Sequence, residues 1–219
     1  MDFRFDIIIE YAPLLLKGTL LTIGLSIAGI LIGLILGVLI GLGKMMRNKL
    51  LVLPFSCYVG FFRGTPLFVQ ILIVHFGMVP LFLGKTNGIV AGIIALSLNS
   101  AAYVAEILRG GVQSIEKGQM EAARSLGLSH VQAMRHIILP QAFKRMIPPL
   151  GNEFIVLVKD SSLVSVIAAP EIVYWAQSMG AEYFRVWEPY ITAAVIYLVL
   201  TLTLSFLLHL LERRLATDD

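Results

Sequence analysis

Residues 151–168 read GNEFIVLVKDSSLVSVIA, a stretch long enough to cross a membrane that nevertheless holds Glu153, Lys159 and Asp160. A charge at the centre of a bilayer helix costs about 2.5–3.5 kcal/mol on insertion scales, so three such groups facing lipid would threaten the span. Helical geometry lets them avoid it. At 3.6 residues per turn, Asn152 lies almost in line with Lys159, and Glu153 with Asp160. The two rows sit side by side, so the four polar groups share an arc of about 120°. Val156 and Leu163 fall inside that arc, whereas Phe154, Leu157 and Val158 point elsewhere. The expectation is a helix with one polar face turned to a watered cavity. The alternative is an internal ion-pair network that only fixes helix packing.

The rest of the chain agrees with a membrane setting. Its 219 residues are 58% hydrophobic and only 14% charged, against about 25% charged in soluble domains. No hydrophilic stretch is long enough for a second core, so 1–219 is read as a single transmembrane domain, all-α and polytopic. The net charge of +3 sits in particular loops and reports orientation rather than nucleic-acid binding. Cys57 is alone, which excludes an internal disulfide. The first apolar run is too long for a signal peptide, and no cleavable leader is expected.

Five spans are expected, at about 19–43, within 51–83, and at 88–108, 148–168 and 189–211. Lys44, Arg47 and Lys49 follow the first. Arg109, Lys117, Arg124, Arg135, Lys144 and Arg145 follow the third, and Arg213 and Arg214 follow the fifth. The other side offers Lys85 and Arg185, with Arg4 and Lys17 at the N-terminus. Positive loops stay inside, which predicts N-out and C-in.

Glycines at 29, 33, 37 and 41 form a smooth ridge on the first span, suited to close helix packing. The second span is irregular at FFRGTPLF, residues 61–68. Pro66 lacks an N–H and turns its predecessor away from helix, so Thr65 is expected as N-cap with Pro66 at the first helical position. Backbone groups released near Arg63 need protein or a watered cavity beside them. On the third span Asn99, Tyr103 and Glu106 share one face, Asn99 deepest and Glu106 near the inner end.

The loop of about 110–147 is the longest basic one. A short helix is expected over 119–126, ended by Gly127 in the left-handed region. Ser129 and Gln132 make a capping box for a second helix. Val131, Met134 and Ile138 give that helix an apolar stripe, and Pro140 stops or kinks it. Two short cytoplasmic helices suit a docking element, with Ala122 and Ala123 keeping the first slim and Glu121 and Arg124 supplying charge contacts. An undistinguished surface hairpin would have the same pattern.

Residues 121–140, EAARSLGLSHVQAMRHIILP, resemble the cytoplasmic signature of ABC importer permeases. Glu121, Ala122, Ala123, Gly127, Ile137, Leu139 and Pro140 stand at its spacings. FFRGTPL and EFIVLVKDSSLVSVI resemble further signatures of the polar amino acid branch, which serves histidine, lysine, arginine, glutamine and glutamate. The resemblance implies a type I importer permease in a prokaryotic cell membrane. It implies two permease subunits, identical or homologous, two cytoplasmic ATPase subunits that bind ATP and magnesium, and an extracytoplasmic amino acid-binding protein. No cofactor or catalysis is expected on this chain. The 119–126 helix would be the coupling helix, with Glu121, Ala122, Ala123, Arg124 and Gly127 meeting the ATPase.

A small amino acid carries a carboxylate and an ammonium. Arg63 or Lys159 suits the first, and Glu153 and Asp160 suit the second and a cationic side chain. Asn99 and Asn152 complete the expected substrate set, and two acids on one face favour a basic substrate. An ion-driven secondary transporter would show paired repeats with matched broken helices, which five spans with one irregular segment do not supply. A membrane-embedded enzyme finds no support. His75, His130, His136 and His209 are scattered without metal spacing, and neither a phosphate loop nor a Gly-x-Ser-x-Gly elbow occurs.

Overall fold

The computed structural model describes residues 3–46 and 48–216; Arg47, counted above among the basic residues, lies outside them. The described residues are helical with no strand. Helix α1 spans Phe5–Lys44, about 60 Å at 1.5 Å per residue and twice the thickness of a hydrocarbon core. Its glycine ridge is packing surface. A methyl added at Gly29, Gly33, Gly37 or Gly41 would lie 3.3, 2.9, 2.6 or 2.8 Å from Leu96, Ser100, Val104 or Leu108. Those four partners belong to α5, Gly88–Gln113. Both helices advance four residues per step in the same sense, so α1 and α5 run parallel with backbones in close approach.

Between them the chain forms α2 (Lys49–Gly64), α3 (Leu67–Ile73) and α4 (Val79–Leu83). The two halves of this segment bend by 108° at Thr65 and Pro66. Thr65 does not cap the helix that follows. It closes α2 in an extended conformation, and its Oγ1 donates to the Phe61 carbonyl at 2.8 Å. Pro66 is the flanking residue and α3 starts at Leu67. The released carbonyls are taken by Gln70, whose Nε2 donates to Phe62 O at 2.9 Å, Thr65 O at 3.1 Å and Thr65 Oγ1 at 2.9 Å.

Residues Val74–Met78 form a wide π-turn ahead of Pro80, and Met134–Ile138 form another ahead of Pro140. In each, the residue before the proline donates five residues back, Val79 to Val74 and Leu139 to Met134. A proline ring clashes with the carbonyl four residues earlier. The extra residue of the π-turn moves that carbonyl aside, so Pro140 neither stops the helix nor breaks it.

The 110–147 region carries α6 (Lys117–Ser125) and α7 (His130–Ala133) and leads through the π-turn into α8, Leu139–Asp160. Expected over 119–126, α6 lies two residues earlier at its start. The capping box is present: Ser129 Oγ accepts from Gln132 N at 3.2 Å and Gln132 Oε1 accepts from Ser129 N at 2.8 Å. The stripe is shorter than its pattern, because Ile138 is buried and Met134 packs beside it while Val131 is 74% exposed. Pro148 and Pro149 sit inside α8. The stretch expected as the fourth span is composite: α8 ends at Asp160 and a 3-10 segment, Ser161–Ile167, continues to a left-handed Ala168. Helices α9 (Ile172–Tyr183) and α10 (Trp187–Ala216) complete the chain.

Contacts fix the directions. Gly111 meets Met146 and Gly92 meets Val164, so α8 and its 3-10 extension run antiparallel to α5. Gly151 meets Leu208, while Phe154 and Val158 share a small gap with Leu200 and Leu204, so α10 runs antiparallel to α8. Among the described residues three helices are long and apolar enough to cross a membrane, namely Phe5–Lys44, Gly88–Gln113 and Trp187–Arg214. The bent pair makes a fourth. The main core lies between α1, α3, α5 and α8, around Leu25, Ile71, Leu96, Leu157 and Val164.

Candidate functional site

The polar residues of the bundle fall into two groups with opposite treatment. The first surrounds Glu106, whose side chain is 16% exposed. Lys44 donates to its Oε1. Arg109 holds its Oε2 with Nη2 at 2.7 Å and Nε at 3.2 Å, and Arg63 Nη1 approaches to 3.6 Å. Three helices, α1, α2 and α5, thus place cations on one carboxylate. The sequence marks Glu106 only as an inner-end group. Its role needs Lys44 from 62 positions away.

The second group is on α8. Glu153 is buried, 8% exposed, and its carboxyl faces Ser100 of α5 with Asp160 and Arg63 the charges in range. Asp160, two helical turns further along the same row, is half-buried. Among the described residues neither acid closes an ion pair within 4 Å. The neighbouring row differs, since Asn152 and Lys159 are both exposed. The shared polar arc is therefore split: one row turns toward α5 and the other away from the chain's own packing. Leu157 and Val158, each 1% exposed, occupy the packed side of α8.

Asn99 and Arg63 are brought to the helix break that separates α2 from α3. Asn99 Nδ2 donates to Gln70 Oε1 at 2.9 Å and to Phe62 O at 3.3 Å. Gln70, 2% exposed, is the residue that sequence reasoning missed. The signal was a lone buried amide four residues after a Pro in an apolar run. Arg63 is 44% exposed and lies over the Tyr103 ring, 5.2 Å from its centroid.

The residues of the α6 hairpin are also assembled. Gly127 has φ +87°, the left-handed region where glycine is favoured. Gly127 N donates to Arg124 O and Leu128 N to Ala123 O, which ends α6. Arg124 Nη1 donates to Leu128 O at 3.1 Å. Ala123 is buried at 4%, whereas Glu121, Ala122 and Arg124 are exposed. The alanine pair is thus divided, one holding the hairpin together and one left on the free face. Met120, Met134, Ile115 and Ile138 seat this hairpin on the C-terminal end of α5 and the N-terminal part of α8. They also line a groove of about 420 Å³.

A further knot joins α9 to its neighbours at the opposite end of the bundle. Glu171, fully buried, accepts from Tyr197 Oη at 2.6 Å and from Tyr174 N at 2.9 Å at the start of α9. Tyr11 donates to Glu182, and Arg4 N donates to Glu188 at 3.1 Å, so the N-terminal end of α1 and the residue that flanks it meet α9 and the first turn of α10. A cavity of about 610 Å³ lies at this end between Phe3 and residues 184–191, and Glu153 is not among its lining residues.

Comparison with known proteins agrees with this arrangement. The chain is 40% identical over all 219 residues, and over the whole of the relative, to the arginine transport system permease protein ArtQ of Bacillus subtilis (strain 168). It is 38% identical over 216 residues to the glutamine transport system permease protein GlnP of Escherichia coli (strain K12), covering 98% of this chain and 99% of that one. A crystal structure of an amino acid ABC transporter with histidines superposes with a TM-score of 0.92 at 44% identity, covering 98% of this chain and all of that one. The MetNI methionine ABC transporter in an inward-facing conformation shares the fold, with a TM-score of 0.81 at 21% identity over 94% and 98% of the two chains. Residues 29–217 match the family described as "Binding-protein-dependent transport system inner membrane component". The long apolar helices, the broken second segment and the EAA-type hairpin are thus those of a type I ABC importer permease, and the chain belongs to the family of inner membrane components of binding-protein-dependent transport systems.

Proposed function

We propose that this chain is the permease subunit of an ATP-driven importer of polar, chiefly basic, amino acids. In this reading it crosses a prokaryotic cell membrane five times, N-out and C-in. The observation that carries it is the pair of unneutralised acids on one row of α8, Glu153 and Asp160, at mid-span in a chain of this family. Intramembrane ionisable groups without a structural partner are substrate-pathway candidates. The relatives named for arginine and glutamine transport support the solute class.

Glu153 and Asp160 take the ammonium and a cationic side chain. Arg63 receives the carboxylate, with Lys159 the alternative. Asn99 holds the helix break in place beside them through Gln70. The exposed row of Asn152 and Lys159 faces a second permease subunit, which closes the cavity that one chain leaves open.

ATP and magnesium are bound by two cytoplasmic ATPase subunits, and an extracytoplasmic binding protein delivers the amino acid. Helix α6 seats in the ATPase through Glu121, Ala122 and Arg124, with Ala123 and Gly127 fixing its shape. ATP then drives transport only if the closed ATPase dimer favours one permease state over the other.

The test is reconstitution with the ATPase partner, measuring ATP-driven uptake of labelled basic, acidic and neutral amino acids. Asp160→Asn is expected to lower uptake or alter selectivity at normal assembly, and Glu121→Lys to uncouple ATP hydrolysis from transport. Unchanged uptake of every amino acid by Asp160→Asn would end the cavity assignment. Normal coupling in Glu121→Lys would end the docking assignment.

A further inference from the structure

Arg63 has an unusual environment for a guanidinium inside a membrane bundle. It stands at the end of α2, next to the break, and is 44% exposed. Among the described residues it donates no hydrogen bond. Two groups of α5, three positions apart on one face, meet it. The Tyr103 ring lies 5.2 Å from its Cζ, and Glu106 Oε2 is 3.6 Å from its Nη1. A guanidinium hydrogen-bonded to a carboxylate sits at about 2.7–2.9 Å. Glu106 is therefore not the group that binds Arg63. Its oxygens are already taken by Lys44 and Arg109 at shorter range.

The ring contact is different in kind. A cation over an aromatic face is held by the ring quadrupole and spends no N–H donor. Arg63 is thus oriented while its donors stay unspent, and its charge lies within range of Glu153. A carboxylate arriving beside Glu153 would find a preorganised fork whose ordering cost is already met.

We propose that Tyr103 is a positioning residue for carboxylate recognition: its ring holds Arg63 with all donors available, and Glu106, occupied by Lys44 and Arg109, leaves that charge for the substrate. This rests on Arg63 as the carboxylate partner. The ring, not the hydroxyl, carries the effect.

The experiment measures uptake of labelled L-arginine into proteoliposomes containing the permease and its ATPase partner. Unlabelled arginine and its α-amide, which lacks the carboxylate, serve as competitors. Tyr103→Leu is expected to raise KM about threefold with little change in kcat, in keeping with a cation–π contact at a half-exposed site, and to erase the preference for arginine over the amide. Tyr103→Phe keeps the ring and is expected to retain both values. Tyr103→Met replaces the leucine variant if that fails to assemble, with the same expectation. An unchanged KM and preference in the ringless variant overturns the proposal, as does equal damage from phenylalanine. Arg63→Gln separates the two levels. If it leaves the preference for the carboxylate intact, the assignment of Arg63 itself is wrong. If it erases the preference while Tyr103→Leu does not, only the positioning role falls.

Discussion

Two carboxylates in this bundle are treated in opposite ways. Glu106 is 16% exposed and collects cations from three helices. Glu153, more deeply buried at 8% exposed, closes no ion pair among the described residues; Ser100 stands opposite, and Asp160, two turns along the same row, and Arg63 are the charges in range. Burial alone would demand the reverse, since the more buried charge needs a partner more. The difference separates two uses of charge in a membrane. Glu106 ties α1 to α5 through Lys44 and Arg109, and its hydrogen-bonding partners belong to the chain. In the proposed function, Glu153 finds its complement in a solute that comes and goes.

The contrast is sharpest if Glu106 is removed. Glu106→Leu leaves Lys44, Arg63 and Arg109 crowded around an apolar side chain. Stranding buried or half-buried charge in this way is expected to cost about 3 kcal/mol. Thermal unfolding in detergent should show a lower midpoint and poorer recovery of assembled complex. A variant as stable as the parent would mean that the cluster is solvated and contributes no fixed geometry.

A smaller effect is expected at the seam that holds α1 on α5. A side chain at Gly37 would meet Val104 at 2.6 Å and the Ala101 carbonyl at 2.9 Å. Gly37→Val must separate the two backbones, and overpacking of this kind costs about 1–3 kcal/mol. Gly24 has nothing within 4 Å of an added methyl, so Gly24→Ala provides the control on the same helix. Equal stability of the two variants in the detergent assay would show that the ridge does not set the helix spacing.

Much of this seam was legible in the sequence, and the reason is local. A four-residue glycine repeat, the Ser129–Gln132 box and Gly127 each announce a geometry through residues within one or two turns. The break at Thr65–Pro66 was legible for the same reason, although its cap was not. Gln70 reaches back across the break to close it, and Asn99 joins from another helix 29 positions away. The Glu106 cluster and the Glu171–Tyr197 bond also depend on which helices become neighbours, which periodicity does not tell. Helix α9 and the change to a 3-10 turn after Asp160 went unread, because an apolar run with serines has the same pattern in either form. On α8 the pattern placed four polar groups in one arc, but only packing against α5 divides them into a buried row and an exposed one.

The smallest effect on stability is expected where the effect on transport is large. Glu153→Gln keeps the shape of the side chain and removes its charge. No ion pair is lost, and a buried uncompensated charge is relieved, so the folded bundle should be unchanged within about 0.5 kcal/mol or slightly more stable. Uptake of a basic amino acid should nevertheless fall by an order of magnitude or more, because a charge-assisted contact to the ammonium contributes about 1.5–3 kcal/mol. The two readouts must part company. If Glu153→Gln unfolds as readily as Glu106→Leu, then Glu153 is a packing charge like its neighbour and the ion-pair alternative for this helix stands. If both stability and uptake stay at parental values, the buried acid contributes to neither, and the solute path must run along the exposed row of Asn152 and Lys159 instead.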